Sequence, residues 1–193
     1  GGSAASGKQC ITQKIKNNNG ITLYTEASPA PFTTTHSNIT LLITSGTENE
    51  SISVSIERGN WQHISACINR RAGVNRLEMF VNGKFKKKSP QFDIQDFFFK
   101  EADLTIGKGD NVSRPASSGG DVTFTNNLVG SIDDFRIFHS PRSESSLDNE
   151  KSRKVEPRKS LRLNLTFNEP TGSYPNQDVL LDHSGNSLHT KIL

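Results

Sequence analysis

Several things are scarce in this chain. Two cysteines in 193 residues exclude a disulfide-dense scaffold. No apolar run approaches the roughly 18 residues a membrane helix needs, so no membrane span is expected. Lys and Arg number 23 against 20 Asp and Glu, and that near-balance excludes nucleic acid as an electrostatic partner. Aromatics with a polar handle are few, with one Trp and two Tyr. The hydrophobic set is 32%, or about 40% with the glycines counted, below the roughly 45–50% of ordinary globular chains. That suffices for one thin-cored domain, or at most two small ones. Met79 is the only methionine and position 1 is Gly, which reads as a fragment, a processed product or a tagged derivative. No signal peptide is visible.

What is present is alternation. Short apolar runs of period two, broken by Gly, Asn, Pro and Ser, read as half-buried strands. The runs are 10–15, 21–25, 39–44, 51–57, 62–69, 76–81, 84–85, 104–107, 128–138 and 161–167, with shorter ones at 179–181 and 190–193. Ile52, Val54 and Ile56 share one face, with serines between them. Ile64, Ala66 and Ile68 share a face opposite His63, Ser65 and Cys67. Asn82-Gly83 follows Leu77, Met79 and Val81 and predicts a tight type I′ hairpin. Helix evidence is confined to 143–152, with Glu144 early and Lys151 late. The polar stretch 107–127 reads as a functional rim loop or a mobile segment. The charged stretch 140–160, with Pro157 stopping any helix, reads as a linker or a connector over the sandwich. Many short strands with frequent turns give an all-β, antiparallel sandwich with few or no helices.

Four segments carry a family resemblance. Asn60-Trp61-Gln62-His63-Ile64-Ser65-Ala66 resembles the G-x-W-H-H-V-A strand of laminin-G-like, concanavalin A-like jelly rolls. Arg76-Leu77-Glu78-Met79-Phe80-Val81-Asn82-Gly83 resembles that family's L-x-L-Y-V-N-G hairpin. Leu104-Thr105-Ile106-Gly107 and Gly130-Ser131-Ile132-Asp133-Asp134-Phe135-Arg136-Ile137-Phe138 resemble its L-x-I-G and G-x-I-D-D-V-R-I-Y strands. The resemblance implies a jelly-roll sandwich over 8–147 and a charged connector over 148–160. The stretch 161–193 carries Leu163-Asn164-Leu165-Thr166-Phe167-Asn168-Glu169 and Asp182-His183-Ser184-Gly185-Asn186, which resemble the family's opening. It either completes the same sandwich or begins a second repeat.

Candidate chemistry follows. A glycosidase on such a sandwich needs two facing carboxylates. Glu101 and Asp103 alternate correctly but lack a third acid and aromatic subsites, and the adjacent Asp133 and Asp134 point to opposite faces. No G-x-S-x-G motif is present, so no catalysis is expected. Asp133 is expected inward with Phe135 and Ile137, where a carboxylate needs a partner or a cation. The resemblance implies calcium, the one cofactor expected, with Asp182 and Asn186 joining Asp133. The other reading is that Asp133 accepts backbone hydrogen bonds and the 182–185 segment is an Asx-turn. A glycan partner would stack on exposed aromatic rings. Tyr24 and Tyr174 are the candidates, Trp61 being expected in the core.

Lys86, Lys87 and Lys88 form the sharpest charge feature. They either bind a phosphate, a sulfated glycan or an acidic neighbour, or simply protect an edge strand. Phe97, Phe98 and Phe99 are a docking patch or a turn burying two of the three. Cys10 and Cys67 either bridge or remain free. Sequons at Asn38, Asn49, Asn111 and Asn164 do not establish secretion. The expectation is a non-catalytic interaction module of a larger extracellular, cell-surface or virion protein. Its partners would be other chains of an assembly or, alternatively, a glycan.

Overall fold

The computed structural model describes residues 7–27, 34–94, 101–169 and 178–191. It divides into two compact units, Gly1–Val129 with Glu144–Lys151, and Gly130–Ser143 with Ser152–Leu193. Among the described residues no helix is long and apolar enough to cross a membrane.

The first unit is a sandwich. Its larger sheet runs in the order β4 (Glu48–Glu57), β3 (His36–Ser45), β2 (Asn19–Ala27), β1 (Lys8–Lys16) and β8 (Leu104–Ile106), with β9 (Phe124–Asn126) pairing in parallel with the start of β1. Its smaller sheet is β5 (Ile64–Asn69), β6 (Arg76–Val81) and β7 (Lys84–Lys88). The sequence alternation decides what faces what. Ile39, Leu41, Ile43, Ile52 and Val54 meet Leu77, Met79, Val81, Phe92 and Ile94 in one core. Burying each such side chain contributes about 1.5–3 kcal/mol. Cross-strand register places Leu41 opposite Ile52 and Ile39 opposite Val54.

The opposite face of the larger sheet is also covered. Tyr24, Leu42, Val112 and Val122 form a second cluster. The cover is the polar stretch 107–127, expected as a rim loop or mobile segment. Val112 and Val122 exchange backbone bonds of 2.9 and 2.8 Å and are buried to 1% and 0% exposure. Gln13 anchors the stretch by donating to Asp110 O at 2.9 Å and accepting from Asp110 N–H at 2.7 Å. Gly109 permits the close approach, since a Cβ there would lie 2.6 Å from Cys10 Sγ. Inside the expected connector, Glu144–Glu150 forms the helix α1, and Leu147 is buried.

The second unit contains β10 (Phe135–Phe138) paired antiparallel with β11 (Leu161–Leu165), and β12 (Val179–Leu180) paired with β13 (Thr190–Lys191). Its buried residues include Val155, Leu161, Leu163 and Leu165. The expected strand 128–138 begins only at Phe135. Asp134 sits at φ 52°, a left-handed conformation that interrupts the pleat and its alternation.

Candidate interaction surface

The Asn82-Gly83 turn between β6 and β7 is a polar hub. Asn82 and Gly83 take φ 53° and 78°, as a type I′ turn requires. Asn82 N–H donates to His63 O at 2.7 Å, and Asn82 Oδ1 accepts from His63 N–H at 2.9 Å. Its Nδ2 donates to Gln62 Oε1 at 2.7 Å. The lead-in to β5 is thereby fixed, and Trp61, immediately before it, stands 71% exposed. A Cβ on Gly83 would lie 2.5 Å from Asp148 Cα, so glycine lets α1 close on the turn. Asp148 then takes Lys84 Nζ at 2.8 Å and Lys151 Nζ at 2.7 Å. Hydrogen bonds from Lys151, then Lys84, lower its carboxyl pKa to about 2.

Trp61 is not the core residue the sequence reading expected. Ile64 and Ile68 pack against the core, but β5 begins only at Ile64, so Trp61 lies in the lead-in before the strand and outside its pleat. Another aromatic pair covers the outer side of this sheet, with Phe80 buried and Phe85 44% exposed. Their rings meet edge to face, with centroids 5.6 Å apart.

The expected lysines lie together. β7 is an outermost strand of its sheet, and all five of its residues are exposed. A bulge between Met79 and Phe80 places Lys87 opposite Met79 and Phe85 opposite Phe80, leaving Lys86 without a partner position. Among the described residues, Lys84 has its carboxylate, while Lys86, Lys87 and Lys88 make no ion pair.

Other expected site residues are dispersed. Tyr24 is 3% exposed, with its ring edge-on to Phe124 at 5.9 Å, so it offers no stacking face. Its even position on β2 turns it toward the 107–127 cover. Tyr174 and Phe97, Phe98 and Phe99 lie outside the described residues. Glu101 is exposed and paired with Lys16 at 2.9 Å, and Asp103 is exposed as well. Asp133, expected inward, is exposed because the chain becomes strand only after the left-handed Asp134. Its Oδ1 accepts the Asp134 N–H at 2.9 Å, and Asp134 pairs with Arg136.

Asp182 and Asn186 do come together, as a turn lock. Asp182 accepts Asn164 N–H at 3.0 Å, Ser184 N–H at 2.9 Å, Ser184 Oγ–H at 2.8 Å and Leu188 N–H at 3.0 Å. Burial raises its pKa, but the donors from Leu188, Ser184 and Asn164 outweigh it and hold the carboxyl below its ordinary value. Asn186 Nδ2 donates to Leu161 O at 3.0 Å and Arg162 O at 3.1 Å. A carboxylate has about four lone-pair positions, and protein donors already fill those of Asp182. Asp133, Asp182 and Asn186, as placed, therefore do not fit a calcium ion. Among the described residues no group of three His, Cys, Asp or Glu side chains is positioned to hold a metal.

The thiols are free. Burial, then the Asp110 charge, pushes Cys10 up to about 12. Burial, then Glu78, pushes Cys67 up to about 11, against a lowering by Arg71. The sequon residue Asn164 is 2% exposed, closed to modification in the folded chain.

No protein-family model matches this chain, and no curated protein does. Among solved structures it is similar to residues 221–444 of an S-layer domain-containing protein from Clostridium thermocellum ATCC 27405. The TM-score is 0.40 and the identity 19%, over 79% of this chain and 66% of that one. A likeness at that level carries no function across.

Proposed function

We propose that this chain is a non-catalytic interaction module of a cell-surface or extracellular protein, and that it meets neighbouring protein chains along β7. The observation that carries the reading is the row Lys86, Lys87 and Lys88, exposed on an edge strand without ion pairs among the described residues. Three adjacent cations fit an acidic protein face. They also keep uncharged strands from adding to that edge. The non-catalytic part rests on Glu101, which is tied up in a surface ion pair, and on thiols held protonated by burial. The laminin-G-like jelly roll is the finer form of the fold reading. Of its four motifs, two fall on the β6–β7 hairpin and β8, and two end in β5 and β10, with 60–63 and 130–134 preceding those strands.

The test is carbodiimide cross-linking, which activates carboxylates and couples them to lysine amines, of the native protein in its assembly. Inter-chain links from Lys86, Lys87 or Lys88 to acidic segments are expected, weakening above about 0.5 M salt as screening shortens the reach of charge. The triple variant K86E/K87E/K88E, which has no amines there to link, should itself assemble more weakly while keeping its melting temperature. Unchanged assembly in that variant would overturn the reading.

A further inference from the structure

We infer that the acidic partner of β7 is β4 of a second copy of this chain, which rests on the β7 contact proposed above and names what it meets. Two copies would pair about a two-fold axis through two β4–β7 contacts. β4 is an outermost strand of the larger sheet, as β7 is of the smaller one. Across the core β4 lies over β6 and β7, so both edges run along the same side of the sandwich. An edge strand leaves a row of N–H and C=O groups without partners, and chains commonly guard such a row with lysine, proline or a bulge. β4 has none of these. Its ten residues contain no Lys, Arg or Pro, and all ten keep unbroken register with β3. Among the described residues no strand pairs with its outer side.

Charge decides what can add there. The charged residues of β4 are Glu48, Glu50 and Glu57, and those of β7 are Lys84, Lys86, Lys87 and Lys88. Among the described residues none of the three carboxylates makes an ion pair. Two β4 edges would set like charges opposite each other, and so would two β7 edges, and both pairings are repulsive. A β4–β7 pairing sets carboxylates against ammonium groups, while main-chain hydrogen bonds join the strands. A two-fold axis running along the strands, beside that shared side, turns the larger sheet of one copy into the plane of the other copy's smaller sheet. It brings β4 of each copy to β7 of the other, so one operation satisfies both edges.

Two strand contacts make a small interface, at the weak end of specific association. The isolated chain should therefore stay monomeric at micromolar concentration and pair only toward about 1 mM, the effective concentration that tethering in an array supplies. Sedimentation equilibrium reads this directly. E48K/E57K makes both edges basic, and K86E/K87E/K88E makes both acidic. The substituted residues are exposed, so both variants should keep their melting temperature. Each alone should pair at least about tenfold more weakly. An equimolar mixture of the two should recover a heterodimer, a gain that misfolding cannot produce. Carbodiimide coupling of mixed heavy- and light-isotope wild-type chains should link Lys86, Lys87 or Lys88 of one copy to Glu48, Glu50 or Glu57 of the other. No pairing of the wild-type chain, no recovery in the mixture, or growth beyond a dimer would overturn the inference. Cross-links from the same lysines to a different protein in the native assembly would overturn it too, but would leave the β7 contact standing. Absence of any link from those lysines in the assembly would sink both.

Discussion

From Ile39 to Ile43 every residue of β3 is buried, and four of the five are aliphatic. From Asp182 to Asn186 the second unit turns on side-chain hydrogen bonds instead, with one carboxylate collecting the amides of Asn164, Ser184 and Leu188. In the same unit the Phe138 ring meets the guanidiniums of Arg142 at 4.9 Å and Arg158 at 5.3 Å, a cation–π arrangement rather than an aliphatic packing. The first unit gains stability from area removed from water, spread over many residues. The second, with short strands and few buried side chains, concentrates it in a few polar groups whose loss leaves partners unsatisfied. The proposed contact surface sits on the first kind of scaffold, where an exposed lysine changes without disturbing the core.

Substitutions sharpen this contrast. Leu77→Ala removes a side chain with 0% exposure and should cost about 2–5 kcal/mol in denaturant unfolding. Asp182→Ala should cost about 1–3 kcal/mol, and the Asn164 and Leu188 amides should exchange hydrogen faster. Equal and small effects of both would break the comparison.

Acid should act on the second unit. The Asp182 pKa lies below its ordinary value, so its contribution is present above the usual carboxylate range and is lost as pH falls through the folded pKa. Base should act on the first. Cys10 and Cys67 stay protonated up to about 12 and 11, so their contribution holds below the free-thiol range and is lost as pH rises toward those values. A thiol reagent at pH 8 should therefore label the folded chain slowly. The smallest effect is expected at Lys84→Ala, an exposed ion pair, where the melting temperature should stay put. Exchanging calcium for chelator should also leave it unchanged, and a shift would return a cation to the Asp182 turn.

Much of the first unit is legible in its sequence because burial there follows period two. The expected 76–81 run matches β6, Asn82-Gly83 is the turn, and α1 lies within 143–152. The motif Asp182-Ser184-Asn186 is legible as a turn, but its many donors are set by where β11 runs. Tyr24 and Val122 were harder to read because a polar stretch can cover a sheet when two valines and a glutamine anchor it. Trp61 and Asp133 show the opposite error. Hydrophobicity favours a buried Trp, yet Trp61 falls ahead of β5, outside the pleat, and stands 71% exposed. One left-handed residue, Asp134, resets the face of everything before it.

The most direct test of the account is the acetylation rate of Lys86, Lys87 and Lys88 in the native assembly against the isolated 193-residue chain. Protection of several-fold at these lysines, with exposed Lys159 unchanged, is the predicted result. Equal reactivity in both states would contradict the assignment of β7 as the contact surface.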